Sequence, residues 1–244
     1  MNTISAEYSQ FRFNQSEMLE NMNEQLLRTA RTSTVPSVTV NRVLRNTYAL
    51  LSMLFLFGAG TAWVAMNQGW QIGFFPFLIG IFAFSFAINA ARNSAWGIVL
   101  GFGFAGLLGV VTGSNVAFAL SAYSNGGMLV VSAFALTAVM FLGLSAYAMS
   151  TKRDFSNMIG FLTVGTLAII GAFVINYFLQ VPALWLALST MVVLLASMWI
   201  IWQTQQIVRS GQTNYIMAAT NLMVNIFALF NNLLALMGFA FGED

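Results

Sequence analysis

Three asparagines in the last apolar run of the sequence are side chains that could bind polar groups or ions. On a helix, Asn221, Asn225 and Asn232 share a sector of about 100° with Ala228 and Ala235, because offsets of four, seven, eleven and fourteen residues return to nearly one face. Most other residues of this run are Leu, Met, Ile, Val and Phe. Each unpaired polar group in lipid costs up to several kcal/mol. We therefore expect this amide stripe, Asn221, Asn225 and Asn232, to lie inside a helical bundle.

The chemistry open to these side chains is hydrogen bonding, because the sequence lacks the residues that intramembrane hydrolases use. It contains no Cys and no His. A serine protease of the rhomboid type needs a base for its Ser, a metalloprotease needs His-Glu-x-x-His, and an aspartyl protease needs two buried carboxylates. None of these sets can be assembled from this sequence. It predicts a protein that is not an enzyme and has no metal and no cofactor.

The composition places the chain in a lipid bilayer. Of its 244 residues, 59% are hydrophobic and 7% are charged, whereas a soluble domain has about 25% charged residues. Between Thr47 and Gly242 the charged residues are Arg92, Lys152, Arg153, Asp154 and Arg209. The apolar runs between them can each supply the roughly 20 residues that a membrane-spanning helix needs. No basic patch exists beyond the arginines that flank these runs, so we expect no nucleic-acid partner.

The apolar runs predict an all-α membrane protein with seven transmembrane helices, formed by residues 41–244. The predicted spans are Val43–Met66, Ile72–Ala90, Ala95–Thr112, Gly127–Met149, Phe155–Leu179, Ala183–Ile207 and Thr213–Phe241. Lys and Arg occur in the N-terminal flank and in the second, fourth and sixth loops, and they are absent from the first, third and fifth loops. The positive-inside rule then puts the N-terminus in the cytoplasm and the C-terminus outside. A topology of six spans with a re-entrant last segment would return the C-terminus to the cytoplasm.

Residues 1–40 form a polar segment, for which two states are open. Met18, Met22 and Leu26 recur every four residues, which is typical of a short amphipathic helix. Such a helix would dock on a partner or on the membrane surface. The alternative is a disordered cytoplasmic tail.

The third predicted span has small residues at intervals of four: Gly97, Gly101, Ala105 and Gly109. Small side chains let helix backbones approach closely in lipid, where apolar burial does not drive helices together. This small-residue face predicts close packing within the chain, and dimerisation is the alternative. The sequence leaves the oligomeric state open.

Several stretches of the sequence resemble the Bax inhibitor family, and in particular its bacterial YccA-like branch. These stretches are Val43–Ser52, Thr151–Gly160, Asn176–Leu184, Gly211–Ile216 and Leu233–Phe239. They occur in order within seven predicted spans, and the resemblance covers residues 43–241. It implies a fold in which six helices surround a central C-terminal seventh helix, in a bacterial inner membrane.

The resemblance implies two kinds of function. Members of the family are associated with a proton-sensitive leak of cations, chiefly calcium, through two aspartates on the sixth and seventh helices. The YccA-like members are associated with the membrane-anchored AAA+ protease FtsH, as substrates or inhibitors engaged through the cytoplasmic N-terminal tail. Alignment of the two helices places Gln203 and Asn225 at the positions of the aspartate pair.

Gln203 and Asn225 differ from aspartates in one physical property: their amide side chains do not titrate. Two carboxylates close together in low dielectric share a proton and switch with pH, whereas two amides only form hydrogen bonds. The sequence therefore favours a non-enzymatic membrane regulator that binds FtsH. The alternative is a cation leak channel of the Bax inhibitor type that lacks the titrating pair.

Overall fold

The computed structural model describes residues 37–209 and 214–243, together with Met18, Met22 and Glu24. Contacts divide the chain into two units, Met1–Thr39 and Val40–Asp244. In the first unit Met18, Met22 and Glu24 are helical and exposed. The remaining residues of the amphipathic helix predicted there lie outside the described residues.

From Ser37 onward the chain forms seven α-helices, six of them wholly within the second unit, and no strand occurs in the described ranges. The helices are α1 (Ser37–Gln68), α2 (Phe74–Ala90), α3 (Ala95–Ala122), α4 (Gly126–Ser150), α5 (Ile159–Leu179), α6 (Pro182–Arg209) and α7 (Tyr215–Phe241), with a short 3₁₀ helix at Ser156–Met158 before α5. Six of the helices are long and apolar enough to cross a membrane, and α2 is a shorter apolar helix of 17 residues. The all-helical fold class predicted from the sequence is confirmed.

The boundary predicted for the third span was wrong. The sequence placed its end at Thr112, but α3 continues to Ala122. The residues that follow Thr112 are the small or polar Gly113, Ser114 and Asn115. In the structure the Ser114 hydroxyl donates to the carbonyl of Val110 at 3.0 Å, within its own helix, and Asn115 is bonded to α7. Tertiary hydrogen bonds thus allow polar residues to continue the helix.

Helix α7 packs against α3, α4 and α6. It also meets α1, where the rings of Phe55 and Phe227 stack with centroids 5.3 Å apart. Its most deeply buried side chains are apolar, and Ala219, Leu222, Met223 and Leu229 are each 0% exposed. The main core of the bundle therefore lies along α7.

Side-chain bonds fix both ends of α7 to other parts of the bundle. At the start, Oδ1 of Asn214 caps the helix by accepting from the backbone N–H groups of Ile216 and Met217, each at 3.1 Å. Nδ2 of Asn214 donates to the carbonyl of Arg92 at 2.7 Å. At the far end, the N–H of Ser124 donates to the carbonyl of Glu243 at 2.8 Å. Helix α7 thus runs from the α2–α3 loop to the α3–α4 turn.

The small-residue face of α3 packs against both α1 and α7. All four of its members, Gly97, Gly101, Ala105 and Gly109, are buried. A Cβ built on Gly101 would lie 3.6 Å from the Leu54 side chain of α1 and 3.7 Å from Oγ1 of Thr220 in α7. A Cβ on Gly109 would overlap the carbonyl oxygen of Gly58. The backbones of α1 and α3 therefore approach each other at a point where there is no room for a methyl group.

The substitution Gly109→Ala should destabilise the bundle, because the added methyl would force α1 and α3 apart. We expect a loss of about 1–3 kcal/mol, as for other overpacked cores, measured as a lower unfolding temperature in detergent. The matched control is Gly143→Ala in α4, where no atom lies within 4 Å of the added Cβ. Since Ala favours a helix over Gly, the control should unfold at an equal or higher temperature. Equal stability of the two variants would contradict close packing at Gly109.

Candidate functional site

Gln203 in α6 and Asn225 in α7, which align with the aspartate pair of the Bax inhibitor family, face each other across the helix interface. Nδ2 of Asn225 lies 3.5 Å from Oε1 of Gln203, a distance at the outer limit for a hydrogen bond. The same Nδ2 donates to the carbonyl of Asn221 at 2.9 Å. Gln203 is buried and Asn225 is half-buried. The pair therefore forms a weak polar contact between α6 and α7.

The amide stripe lies at the margin of the buried face of α7. Asn221, Asn225 and Asn232 are all half-buried, whereas the fully buried positions of this helix are mainly apolar. Nδ2 of Asn232 donates to the carbonyl of Ala228 at 2.8 Å, one turn earlier in the same helix. Since Asn225 bonds in the same way, two amides of the stripe are satisfied within α7 itself. That self-satisfaction lowers the energetic penalty of placing them beside apolar neighbours.

A second polar cluster connects α7 with α3, and sequence reasoning missed it. Nδ2 of Asn231 donates to Oγ1 of Thr112 at 2.9 Å and to the carbonyl of Phe227 at 2.8 Å. Oδ1 of Asn231 accepts from Nδ2 of Asn115 at 2.8 Å. These three side chains, Thr112, Asn115 and Asn231, form the α3–α7 amide cluster. The signal in the sequence was the adjacent pair Asn231 and Asn232, because neighbouring residues lie about 100° apart on a helix and face different surroundings.

The neighbours Asn231 and Asn232 give a direct comparison of a bridging amide with a self-bonded amide. We expect Asn231→Leu to lower the free energy of unfolding by about 1–3 kcal/mol, because it leaves the polar atoms of Thr112 and Asn115 without their partner. The matched control Asn232→Leu removes only a bond to its own helix and should have a smaller effect. Both are measured as unfolding free energies in one detergent. A larger effect for Asn232→Leu would show that the α3–α7 amide cluster contributes little.

Another buried amide, Gln205, was also missed and holds the α4–α5 loop. It is 4% exposed. Its Oε1 accepts from the N–H of Phe155 at 2.8 Å, and its Nε2 donates to the carbonyl of Arg153 at 2.7 Å. Within this loop, Oδ1 of Asp154 accepts from the N–H of Ser156 at 2.8 Å, which forms an Asx turn just before the 3₁₀ helix. The charged residues of the loop are thereby held at the end of α6.

The buried end of α6 is unusually polar. Gln203, Thr204 and Gln205 are consecutive residues with exposures of 6%, 0% and 4%. Oγ1 of Thr204 and the indole nitrogen of Trp202 are buried and have no hydrogen-bond partner within the described part of the chain. Buried polar atoms of this kind are usually satisfied by ordered water. The region around Gln203 is therefore one part of the bundle with unused hydrogen-bonding capacity, and the buried hydroxyls of Thr47 and Ser189 also lack a partner in the described ranges.

The electrostatic character of the bundle is set by uncharged groups. Arg92, Lys152, Arg153 and Asp154 lie in loops, and Arg209 is the last residue of α6. Arg42 and Arg45 lie in the first three turns of α1 and are exposed. Nowhere in the described ranges do three His, Cys, Asp or Glu residues lie together in a way that could hold a metal ion. The site therefore offers amide and hydroxyl groups, which hydrogen-bond to neutral partners or replace water around an ion.

A bundle of long apolar helices with charges confined to loops and helix ends defines a polytopic membrane protein. The family model described as "Inhibitor of apoptosis-promoting Bax1" matches residues 40–242. The chain therefore belongs to the Bax inhibitor family, and the family predicted from the sequence is confirmed.

Several bacterial proteins are similar to this chain over most of its length. An uncharacterised protein of Pseudomonas aeruginosa is 40% identical over 206 residues, which are 84% of this chain and 92% of that protein. A protein of Escherichia coli K12 named "Modulator of FtsH protease YccA" is 37% identical over 206 residues, covering 83% of this chain and 92% of the relative. An uncharacterised membrane protein of Vibrio cholerae is 38% identical over 217 residues, which are 88% of this chain and 97% of that protein.

Proposed function

We propose that this chain is a non-enzymatic regulator in the bacterial inner membrane that binds the membrane protease FtsH. The observation that carries the proposal is the 37% identity to the E. coli protein named as a modulator of this protease, across 92% of that relative. The same protein in a second E. coli strain is named an inner membrane protein. In the described ranges the charged residues lie in loops or near helix ends. Such a bundle is suited to regulate a partner by binding to it.

The proposed topology has seven crossings with α7 at the centre of the bundle. Helices α1, α3, α4 and α6 contact α7 directly, while α2 packs on α3 and α5 packs on α6. The rings of Phe74 in α2 and Tyr177 in α5 stack with centroids 5.1 Å apart and close the ring of outer helices. These contacts support six helices around a seventh.

The two ends of α7 support a full crossing over a re-entrant segment. Its first turn is bonded to the loop that contains Arg92, and its last turn is bonded to the α3–α4 turn, which has no Lys or Arg. A re-entrant segment would instead have both ends at one face of the bundle. With the basic loops in the cytoplasm, the N-terminus is cytoplasmic and the C-terminus lies outside.

The polar tail of residues 1–40 is the segment that we propose FtsH engages. It contains Glu7, Glu17, Glu20 and Glu24 with Arg12, Arg28 and Arg31 among polar residues. An extended chain gains about 3.3–3.6 Å per residue. Such a tail is therefore long enough to leave the membrane surface and enter an ATPase pore.

Deletion of residues 1–35 should abolish degradation or inhibition by FtsH and leave membrane insertion unchanged. The expected result is at least about a tenfold loss of competition for the protease, because one engagement signal is removed. It is measured with purified FtsH, a labelled model substrate and the full chain or the truncated chain in proteoliposomes.

The control for this deletion replaces residues 1–35 by a Gly/Ser segment of equal length. If length alone matters, this variant will compete like the full chain, and if the sequence matters it will behave like the deletion. Full competition by the truncated protein would show that FtsH does not use the tail.

A second candidate function, a cation leak path, is favoured by the polar region around Gln203. The side-chain contact between Gln203 and Asn225 is long, at 3.5 Å, and the adjacent hydroxyl of Thr204 has no partner in the described residues. Hydrated amides and hydroxyls can replace part of the water around an ion. Because the pair does not titrate, such a path in this chain would be insensitive to pH.

The double substitution Gln203→Asp and Asn225→Asp should create pH dependence. Two adjacent carboxylates in low dielectric bind a proton more tightly than in the unfolded chain. The folded state then binds more protons, and stability falls as pH rises between about 5 and 8. We expect a lower unfolding temperature and a faster calcium flux into liposomes at pH 8 than at pH 5, since repulsion separates α6 and α7.

The control is Asn232→Asp, which adds a single carboxylate to the same helix away from the pair. Calcium flux in the double variant that is independent of pH would rule out a gate at Gln203 and Asn225. Flux by the unaltered chain that is unchanged in Asn225→Leu would rule out a path along the amide stripe.

A further inference from the structure

A cavity of about 330 Å³ lies where the end of α5, the start of α6 and the start of α2 meet. Its walls include four aromatic residues, Phe74, Phe173, Tyr177 and Trp185, and two amides, Asn176 and Gln180. This volume falls at the lower end of the range of about 300–1,000 Å³ found for small-molecule sites. We call this cavity the α5–α6 pocket, and neither candidate function described above uses it.

The aromatic rings of the α5–α6 pocket are held in place by contacts with each other. Phe74 and Tyr177 stack with centroids 5.1 Å apart and an interplanar angle of 16°. Phe173 and Trp185 meet edge to face, with centroids 5.3 Å apart and an angle of 76°. Because the faces of aromatic rings attract cations within about 6 Å, a wall of four such rings favours an ammonium group. All lining residues of the pocket are uncharged.

Asn176 adds a hydrogen-bond donor to this wall. The residue is 5% exposed, and its Oδ1 accepts from the N–H of Val181 at 3.2 Å. An Asn side chain also has two N–H donors. Asn176 lines the pocket, so an acceptor group on a bound molecule can reach its N–H groups there without breaking the bond to Val181.

The backbone at Gln180 forms the C-cap of α5. Its φ of 52° and ψ of 40° place it in the left-handed region. Residues other than Gly and Asn rarely adopt this backbone conformation. This turn ends α5 and brings Gln180 into the pocket wall. A glycine would relieve the backbone strain but would remove the side chain from the wall.

The surroundings of the pocket indicate that its ligand is a lipid. The large apolar side chains beside it are strongly exposed, with Phe178 at 70% and Leu179 at 60%. They lie at the end of an apolar helix, at the level where a bilayer changes from acyl chains to head groups. A molecule with an ammonium group, an acceptor oxygen and acyl chains would match the rings, the Asn176 donor and the exposed apolar surface together.

We propose that the α5–α6 pocket binds the head group of an ammonium-bearing phospholipid of the phosphatidylethanolamine class. The ammonium lies against the rings of Tyr177 and Trp185, and a phosphate oxygen accepts from Nδ2 of Asn176. An anionic lipid such as phosphatidylglycerol should bind with lower affinity, because no Lys or Arg lines the pocket to pair with its charge.

The test is native mass spectrometry of the full chain released from micelles that contain equal amounts of phosphatidylethanolamine and phosphatidylglycerol with identical acyl chains. We expect the chain to retain phosphatidylethanolamine about fivefold over phosphatidylglycerol. Trp185→Leu should reduce this preference to less than about twofold. The matched control Trp96→Leu changes an indole that is 70% exposed and lies outside the pocket, and it should keep the full preference.

Asn176→Asp tests the donor. The carboxylate still accepts from the N–H of Val181, but it cannot donate and it repels phosphate. We expect the preference to be lost, together with a lower unfolding temperature in lipid-free detergent, because the carboxylate lies at a position that is only 5% exposed. Equal retention of the two lipids by the unaltered chain, or a preference that survives in Trp185→Leu, would overturn the proposal.

A final arm distinguishes a lipid from a soluble ammonium compound. Water-soluble phosphoethanolamine at the concentration of the lipid should displace less than about a tenth of the bound phosphatidylethanolamine, because it lacks the acyl chains. Complete displacement would show that the ligand is a free phosphoammonium compound and would overturn the assignment to lipid.

Discussion

The close approach of α1 and α3 is the constraint on which the rest of the bundle depends. At Gly109 the α3 backbone lies against the carbonyl of Gly58, and at Gly113 it lies against the carbonyl of Ala62. Because lipid supplies no strong hydrophobic drive between helices, dispersion contacts at such points hold a membrane bundle together. The position of α3 in turn determines where α7 lies, since Gly101 separates Leu54 of α1 from Thr220 of α7.

Polar contacts add specificity to this packing at a few levels of the bundle. The α3–α7 amide cluster joins three side chains across two helices by hydrogen bonds of 2.8 Å and 2.9 Å. The contact between Gln203 and Asn225 is long, and the hydroxyl of Thr204 beside it has no partner in the described residues. A satisfied network makes a structure rigid, whereas an incompletely satisfied one leaves room for water or for an alternative arrangement. The α3–α7 contact is therefore the fixed interface, and the α6–α7 contact is the adjustable one.

The helices could largely be predicted from the sequence because long apolar runs separated by charged or Gly/Pro-containing links have few alternative structures. The end of α3 could not, because Ser114 and Asn115 are stabilised in a helix by partners in the α1–α2 link and in α7. Periodicity identified Asn221, Asn225 and Asn232, but it did not show that Asn225 and Asn232 bond to their own helix. Asn231 and Gln205 were missed because their roles depend on residues distant in sequence, which a pattern within one helix does not reveal.

The α5–α6 pocket could not be predicted for the same reason. Its aromatic wall is drawn from α2, α5 and α6, and no local spacing in the sequence joins Phe74 to Tyr177 or Phe173 to Trp185. Each aromatic residue alone is an ordinary feature of a membrane protein. Only their convergence around Asn176 distinguishes them from interfacial anchors.

The shortness of α2 has a consequence for the surrounding bilayer. Its 17 residues give a length of about 26 Å, which is about 4 Å less than the hydrocarbon thickness of a typical membrane. A crossing by α2 would therefore create hydrophobic mismatch along one side of the protein, and lipids there would compress at a cost of a fraction of a kcal/mol per ångström. Two proteins that thin the bilayer in the same way reduce this elastic penalty by lying side by side. The membrane itself would then favour lateral association on the α2 side of this protein.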